Sequence, residues 1–201
     1  ALVEPFAIGS HCTGRGRVVE DDVVFILGTG TIGSIILQTC KAKGCKTVIC
    51  CDISDSSLER AKEYGADYVI NSKTQDVVAE IQKITDGHGC TVAFDSACFP
   101  GSLTMCLQPG ILCNAGRMVP MGFCTEKEGI TQAMINQREL DIIGSRMSQD
   151  AFEPTIARME KGEYITEGIA TTFIKFSEID KVFHLMDHPD ESAKKMVILF
   201  D

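Results

Sequence analysis

An apolar run leads directly into three closely spaced glycines at Val23-Val24-Phe25-Ile26-Leu27-Gly28-Thr29-Gly30-Thr31-Ile32-Gly33. The run predicts a buried strand, and the apolar-rich residues 34–43 that follow predict a helix. In such a strand–turn–helix unit the first glycine permits a tight turn, the second lets a pyrophosphate approach the backbone, and the third lets the helix pack closely on the strand. The free N–H groups and the dipole of the helix N-terminus favour the phosphates. The pattern predicts a dinucleotide-binding site.

An acidic residue stands where such a site needs one. The second apolar run, residues 47–51, ends at Asp52, nineteen positions after Gly33. A carboxylate there can accept both hydroxyls of the adenosine ribose, and it repels a 2′-phosphate. Residues 53–57 contain no Arg or Lys to bind that phosphate, so we predict NAD rather than NADP. The alternative is that Asp52 caps a helix, although Ser54 is better placed to cap the helix predicted at 55–64.

Composition restricts the class of protein. The chain has 201 residues, 44% of them hydrophobic, which suits one α/β domain and little more. Its formal net charge is −9, without a cluster of Lys or Arg, so we expect no nucleic-acid partner and no anionic membrane surface. No apolar run approaches the roughly 20 residues that span a bilayer, and the first residues do not resemble a signal peptide. We expect a cytoplasmic protein.

Ten cysteines do not form a recognisable metal or disulfide pattern. They stand at positions 12, 40, 45, 50, 51, 90, 98, 106, 113 and 124, without a CxxC pair, and many fall in apolar segments where Cys acts as a small hydrophobe. Unpaired thiols in this number indicate a reducing compartment. His184 and His188 have the i, i+4 spacing of a metal-binding pair, and the competing interpretation is that they complement a helix C-terminal dipole.

Strand-like and helix-like segments alternate along the chain, which predicts parallel βαβ units. We predict strands at 23–27, 47–51, 67–70, 91–94, 117–121 and 140–144, and helices at 32–42, 54–64, 75–85 and 102–113. Pro109-Gly110 should kink or shorten the fourth helix. A helix at 152–161, a segment at 169–174, a helix at 178–187 and a strand at 195–200 complete the prediction.

The predicted fold class is α/β, a doubly wound six-stranded parallel sheet of strand order 321456, the Rossmann fold. Its dinucleotide lies above the carboxyl ends of the strands. The nicotinamide should therefore lie near the ends of the fourth, fifth and sixth strands. The residues at those ends are Ala97, Cys98, Met121, Gly122, Phe123, Ser145, Arg146 and Met147.

Several segments together resemble the zinc-dependent medium-chain alcohol and polyol dehydrogenases. They are the opening Glu4-Pro5-Phe6-Ala7, the glycine turn, Asp52 followed by residues 61–67, and residues 116–122. Within that family, residues 94–98 and 139–147 look similar to sorbitol-dehydrogenase-like enzymes that act on sugar acids. The resemblance implies hydride transfer from a secondary alcohol of a polyol, a sugar acid or a similar small molecule to NAD, with zinc lowering the pKa of the alcohol.

The resemblance also implies which residues bind the cofactor. The glycine turn with Ile32 lies under the pyrophosphate, Asp52 contacts the ribose, and the backbone from Met121 to Phe123 holds the carboxamide. Ser57 stands where the family often has Arg, which implies weaker binding at the adenosine end. Including the adenosine-side neighbours, the predicted cofactor residues are Gly28, Thr29, Gly30, Thr31, Ile32, Gly33, Asp52, Ile53, Ser57 and the eight residues at the ends of strands four to six.

The family's GroES-like catalytic domain, with its zinc ligands, has no counterpart in this sequence. We therefore expect the cofactor-binding part of a longer enzyme: residues 1–18 connecting from the catalytic domain, 19–170 forming the NAD-binding domain, and 171–201 returning toward the catalytic domain. Zinc belongs to the intact enzyme only, and this chain alone should be inactive. Glu4 either neighbours that zinc or its substrate, or is a solvated acid in a flexible N-terminal stretch. Arg146 either clamps an anionic group of a substrate or forms an ion pair.

Two other functions fit parts of the pattern. One is a non-catalytic NAD-sensing module, although no partner-binding or DNA-binding domain is visible. The other is a methyltransferase that binds S-adenosylmethionine, in which Gly33 and the Glu4-Pro5 opening have no role. As partners we expect a small alcohol or sugar acid in the intact enzyme and a second copy of the chain, because the apolar sixth strand at 140–144 is a sheet edge that needs cover.

Overall fold

A six-stranded parallel sheet forms the centre of the computed structural model, which describes residues 1–188 and 195–200. The strands are β1 (Val23–Leu27), β2 (Thr47–Asp52), β3 (Tyr68–Asn71), β4 (Cys90–Asp95), β5 (Leu112–Pro120) and β6 (Asp141–Ile142). Their order is β3-β2-β1-β4-β5-β6, and every neighbouring pair is parallel. The predicted fold class and strand order are confirmed.

Helices cover both faces of this sheet. They are α1 (Val3–Arg15), α2 (Thr31–Ala42), α3 (Asp55–Glu63), α4 (Val77–Ile84), α5 (Ser102–Cys106), α6 (Gln132–Asn136), α7 (Phe152–Glu160) and α8 (Asp180–Asp187), with a 3₁₀ turn at Phe176–Glu178. A separate parallel pair joins β7 (Thr172–Lys175) to β8 (Met196–Leu199). No helix among residues 1–188 and 195–200 is long and apolar enough to cross a membrane.

The alternation of side chains along the strands divides the core into two layers. Val24 and Ile26 of β1 face a cluster that includes Phe6 of α1 and Ile35 of α2. Phe25 and Leu27 face the opposite cluster, which contains Ile81 of α4 and Leu107. Because both faces are covered, the strand is apolar throughout, as buried parallel strands are.

Several predicted boundaries differ from the structure. Pro109 cannot continue a helix, so α5 ends at Cys106 instead of 113, and β5 begins five residues earlier than the predicted 117. The sixth strand is two residues long rather than five. The predicted strand at 195–200 corresponds to β8, and residues 189–194 and 201 lie outside the described part of the chain.

The N-terminal stretch expected to be flexible is helical instead. Helix α1 packs against α2, and its side chains Phe6 and Cys12 are fully buried. The ring of Phe6 lies 4.7 Å from that of Tyr164, centroid to centroid. Glu4 is exposed in the first turn of this helix.

Candidate functional site

The glycine turn joins β1 to α2 at the carboxyl edge of the sheet. Gly28 has a φ of +87°, a conformation that favours glycine, and its N–H donates to the carbonyl of Cys51 at 2.7 Å. A Cβ on Gly33 would lie 1.9 Å from the Gly28 carbonyl oxygen, whereas a Cβ on Gly30 would meet nothing within 4 Å. Gly33 therefore permits the predicted close packing of helix on strand, and the space beside Gly30, at the N-terminus of α2, is open.

Ser96, at the end of β4, holds the turn from the other side. Its hydroxyl lies 2.7 Å from the carbonyl oxygen of Gly28 and 3.0 Å from that of Leu27. This contact fixes the path of the backbone where the chain leaves β1. Ser96 is not among the predicted residues, although its position directly after a predicted strand, beside Ala97, could have indicated it.

Asp52 lies at the carboxyl end of β2, beside the glycine turn. Its Oδ2 accepts the N–H of Thr29 at 2.7 Å and the Thr29 hydroxyl at 3.0 Å. Its Oδ1 accepts the N–H groups of Ile53 at 2.7 Å and Ser54 at 3.0 Å. Ser54 is the N-cap residue of α3, as predicted, but its side chain makes no capping hydrogen bond. The carboxylate is thus held between the turn and the start of α3.

Two adjoining cavities open around Asp52 and Gly30, which line both. The adenosine-side cavity, about 680 Å³, is lined by Thr31, Ile53, Ser57 and Lys73 among others. The central cavity, about 420 Å³, runs from Asp52 past Gly28 to residues of β4 and its following loop, Ser96, Ala97 and Phe99. Together they form a path along the carboxyl ends of β2, β1 and β4.

A third cavity, the nicotinamide-side cavity, continues this path over β5 and the chain after β6. It measures about 280 Å³ and is lined by Ile8, Ile32, Ser96, Met121, Gly122, Phe123, Ser145, Arg146 and Met147. All six residues predicted at the ends of strands five and six therefore lie in one place. Ile8 of α1 is not among the predicted residues, because no local pattern indicates that α1 reaches this edge.

Arg146 lies over an exposed aromatic ring at the nicotinamide-side cavity. Its guanidinium carbon is 5.7 Å from the centroid of the Phe123 ring, a cation–π distance. Phe123 is 76% exposed. Within the described ranges Arg146 forms no ion pair, so that alternative receives no support from residues 1–188 and 195–200.

Cys98 supports the site from behind rather than lining it. A Cβ on Gly122 would lie 2.0 Å from the Cys98 sulfur, so Cys98 packs against the backbone at the end of β5. Its N–H and that of Ala97 donate to the buried Asp95 carboxylate, each at 3.1 Å. Thr29, Gly33 and Glu4 also do not line the three cavities.

The charges around the path are mixed. Lys73, from the loop after β3, joins Asp52 and Asp55 in the adenosine-side cavity. Lys73 is not among the predicted residues because it lies twenty-one positions beyond Asp52. Burial raises the pKa of the Cys51 thiol, which lines the central cavity, to about 12, so this thiol is uncharged at neutral pH.

The described residues do not fit a zinc ion. Across residues 1–188 and 195–200 there is no group of three or more His, Cys, Asp or Glu side chains that could hold a metal. The rings of His184 and His188 lie 4.7 Å apart, centroid to centroid, and are tilted by 30° at the C-terminal end of α8.

A larger cavity lies away from this path. It measures about 710 Å³ between α1 and residues 142–154, and its lining includes His11, Arg15 and Arg17. None of the predicted cofactor residues lines it. Arg17 is paired there with Asp141, and the Nε of Arg15 donates to the Gly144 carbonyl at 3.2 Å. Size alone therefore does not identify the site; the glycine turn does.

Known proteins are similar to this chain in sequence and in fold. Starvation-sensing protein RspB of Escherichia coli K12 is 33% identical over 201 residues. The (R,R)-butanediol dehydrogenase of Neisseria gonorrhoeae is 29% identical and matches 98% of this chain. The crystal structure of RspB from E. coli CFT073, described as a short chain alcohol dehydrogenase and complexed with NADH, superposes with a TM-score of 0.88 at 32% identity and 99% coverage of this chain.

The chain spans little more than half the length of these proteins: 58% of each RspB and 56% of the butanediol dehydrogenase. Residues 31–161 match the family described as zinc-binding dehydrogenase. That match covers five of the six strands of the main sheet and residues at both ends of the path along its carboxyl edge. The chain belongs to the zinc-binding dehydrogenases, the zinc-type medium-chain family that its sequence resembles.

Proposed function

We propose that this chain is the NAD-binding part of a medium-chain dehydrogenase that oxidises a secondary alcohol of a polyol, a sugar acid or a similar small molecule. One observation carries the proposal: the three cavities lie in a row at the carboxyl edge of the sheet, with Asp52 at one end, the open face of Gly30 between, and Phe123 at the other. A dinucleotide is an elongated ligand with a ribose diol near one end and a flat ring at the other, and this row suits it.

Each predicted contact has a part in holding that ligand. The N-terminus of α2 and the turn residues receive the pyrophosphate, because they offer backbone N–H groups without a Cβ at Gly30. Asp52 accepts the ribose hydroxyls. Backbone groups from Met121 to Phe123 orient the carboxamide, and the apolar lining excludes water from the nicotinamide. When bound, NAD accepts the hydride.

We propose NAD rather than NADP because of Asp52. A 2′-phosphate placed on this ribose would be repelled by the Asp52 carboxylate. Lys73 lines the same cavity and opposes this effect, yet it approaches from the β3 side while Asp52 lies directly at the turn. The preference for NAD over NADP depends on the charges of both Asp52 and Lys73, so each residue is substituted in the test.

The rest of the enzyme is proposed to lie outside this chain. Residues 1–18 would connect to a catalytic domain, 19–170 would form the NAD-binding domain, and 171–201 would return to the catalytic domain, which supplies the zinc in the intact enzyme. Two aromatic rings within the C-terminal segment, Phe173 and Phe183, are each 61% exposed and offer an apolar surface for that return. The isolated chain would then bind NAD and oxidise nothing. A cytoplasmic location remains a prediction.

The test is calorimetric titration of the purified protein with NAD and with NADP. We expect NAD to bind more tightly, Asp52→Ala to weaken NAD binding and to reduce the preference, and Lys73→Met to weaken NADP further. Asp21→Ala is the matched control, because it removes an 81% exposed carboxylate at the opposite edge of the sheet. If neither dinucleotide binds, or if S-adenosylmethionine binds instead, the proposal is wrong.

A further inference from the structure

Four hydrogen-bond donors already surround the Asp52 carboxylate. Oδ2 accepts the N–H and the hydroxyl of Thr29, at 2.7 and 3.0 Å, and Oδ1 accepts the N–H groups of Ile53 and Ser54, at 2.7 and 3.0 Å. An ionised carboxylate has about four acceptor positions. The acceptor capacity of Asp52 is therefore used in full before any ribose hydroxyl approaches.

The four donors differ in how easily they can move away from the Asp52 carboxylate. Three are backbone N–H groups, held by the turn between β1 and α2 and by the link between β2 and α3. The fourth is the Thr29 hydroxyl, which changes its direction by rotation about a single side-chain bond between staggered positions. It is the donor that a ribose hydroxyl replaces with the least disturbance of the backbone.

Thr29 also borders a small void. The void measures about 10 Å³ and is lined by Thr29 together with Arg60, Tyr64 and Gly168 among others. Arg60 Nη2 is buried and has no hydrogen-bond partner in the part of the chain that the structure describes. Leaving a buried donor unpaired is unfavourable, so an oxygen turned toward this void would be stabilised by Arg60.

We infer that the Thr29 hydroxyl holds, in the cofactor-free protein, the position on Asp52 that a ribose hydroxyl takes on binding, and that it then turns toward Arg60. This inference rests on the proposed function. It makes Thr29 a residue that sets affinity for ligands carrying a ribose diol, rather than a contact of the pyrophosphate as sequence analysis predicted. The protein's own hydroxyl competes with the ligand at Asp52.

The variant Thr29→Val tests the competition, because valine has nearly the volume of threonine and lacks the hydroxyl. We expect AMP, measured by calorimetry, and NADH, measured by fluorescence, to bind about twofold to tenfold more tightly, the value of one net hydrogen bond. Thr29→Ser restores the hydroxyl and should lose this gain. Thr29→Ala serves as a second hydroxyl-free variant if valine impairs folding.

Two further measurements separate competition from a general change in the site. AMP and 2′,3′-dideoxy-AMP differ in the ribose hydroxyls, so Thr29→Val should leave the affinity for the dideoxy compound unchanged. In an Asp52→Ala background Thr29→Val should have no effect on AMP, as a double-mutant cycle requires of coupled groups. If both hydroxyl-free variants bind AMP no more tightly than the unaltered protein, the inference about Thr29 is wrong but the proposed function stands. If neither the unaltered protein nor any variant binds NADH, the proposed function is wrong as well.

Discussion

Two glycines of the same turn have different roles, and substitution by alanine separates them. A Cβ at position 33 would overlap the Gly28 carbonyl, while one at position 30 enters empty space. We expect Gly33→Ala to destabilise the protein by about 1–3 kcal/mol or more, as overpacking does. Gly30→Ala should leave the melting temperature nearly unchanged and weaken NAD binding.

Thermal denaturation and NAD titration of the two variants check this prediction. It is contradicted if Gly30→Ala unfolds at a clearly lower temperature, or if it binds NAD as tightly as the unaltered protein does. At this scale the sequence predicts the geometry of the turn well, because glycine spacing reports backbone constraints directly. It does not reveal that Thr29 bonds to Asp52, since that contact joins residues twenty-three positions apart.

At the scale of elements, one ion pair ties the amino ends of the strands together. Arg117 of β5 donates to Asp22, just before β1, and to the carbonyls of Gly16 and Arg17 at 2.8 Å after α1. The Asp22 carboxylate also accepts the Thr91 hydroxyl at 2.6 Å and is 5% exposed. The pair therefore connects α1, β1, β4 and β5.

Breaking this pair on one side should destabilise the fold strongly. We expect Arg117→Met to lower the free energy of unfolding by about 3–5 kcal/mol, because it leaves a buried carboxylate without its cation. Lys46→Met is the matched control: its partner Asp21 is 3.7 Å away and both side chains are about 80% exposed, so the loss should be below about 1 kcal/mol. Urea denaturation measures the free energy of unfolding of both variants. Equal losses of stability would refute the expected difference between the buried and the exposed ion pair.

The elements were predicted unevenly for physical reasons. Strands β1, β2 and β4 are buried on both faces, so their apolar runs are unmistakable. Helix α1 was missed because Pro5, Gly9 and Gly14 are poor helix formers, and its stability comes from packing on α2 rather than from propensity. The sixth strand was predicted at 140–144, but only Asp141 and Ile142 pair with β5, and the local apolar pattern does not show how far this pairing extends.

Over the whole molecule, burial should decide which thiols react. It raises the pKa of Cys12, Cys51 and Cys90 to about 12, so at pH 8 they stay protonated as well as inaccessible. Cys124 is exposed. Brief iodoacetamide treatment of the native protein should therefore alkylate Cys124 first, and all ten cysteines only after denaturation, as mass spectrometry would show. Early labelling of Cys90 would mean that the sheet opens readily.

At the scale of the whole molecule, we expect the outer edge of β6 to be the contact between two copies. Strand β6 leaves one side of its backbone unpaired within residues 1–188 and 195–200, and Ile142 there is 38% exposed. We propose that two copies cover this edge by pairing across a two-fold axis. Ile142→Arg places a charge at the centre of that contact, which should convert a dimer into a monomer of 21.9 kDa.

Light scattering after size-exclusion chromatography measures this change. Val19→Arg is the control, because it alters a 57% exposed aliphatic side chain before β1, at the amino edge of the sheet, and should leave the dimer intact. A monomeric unaltered protein would refute the dimer, and equal dissociation by both variants would place the contact elsewhere. Because the proposed cofactor path runs along the carboxyl ends of the strands, Ile142→Arg should keep its NAD affinity while the dimer is lost.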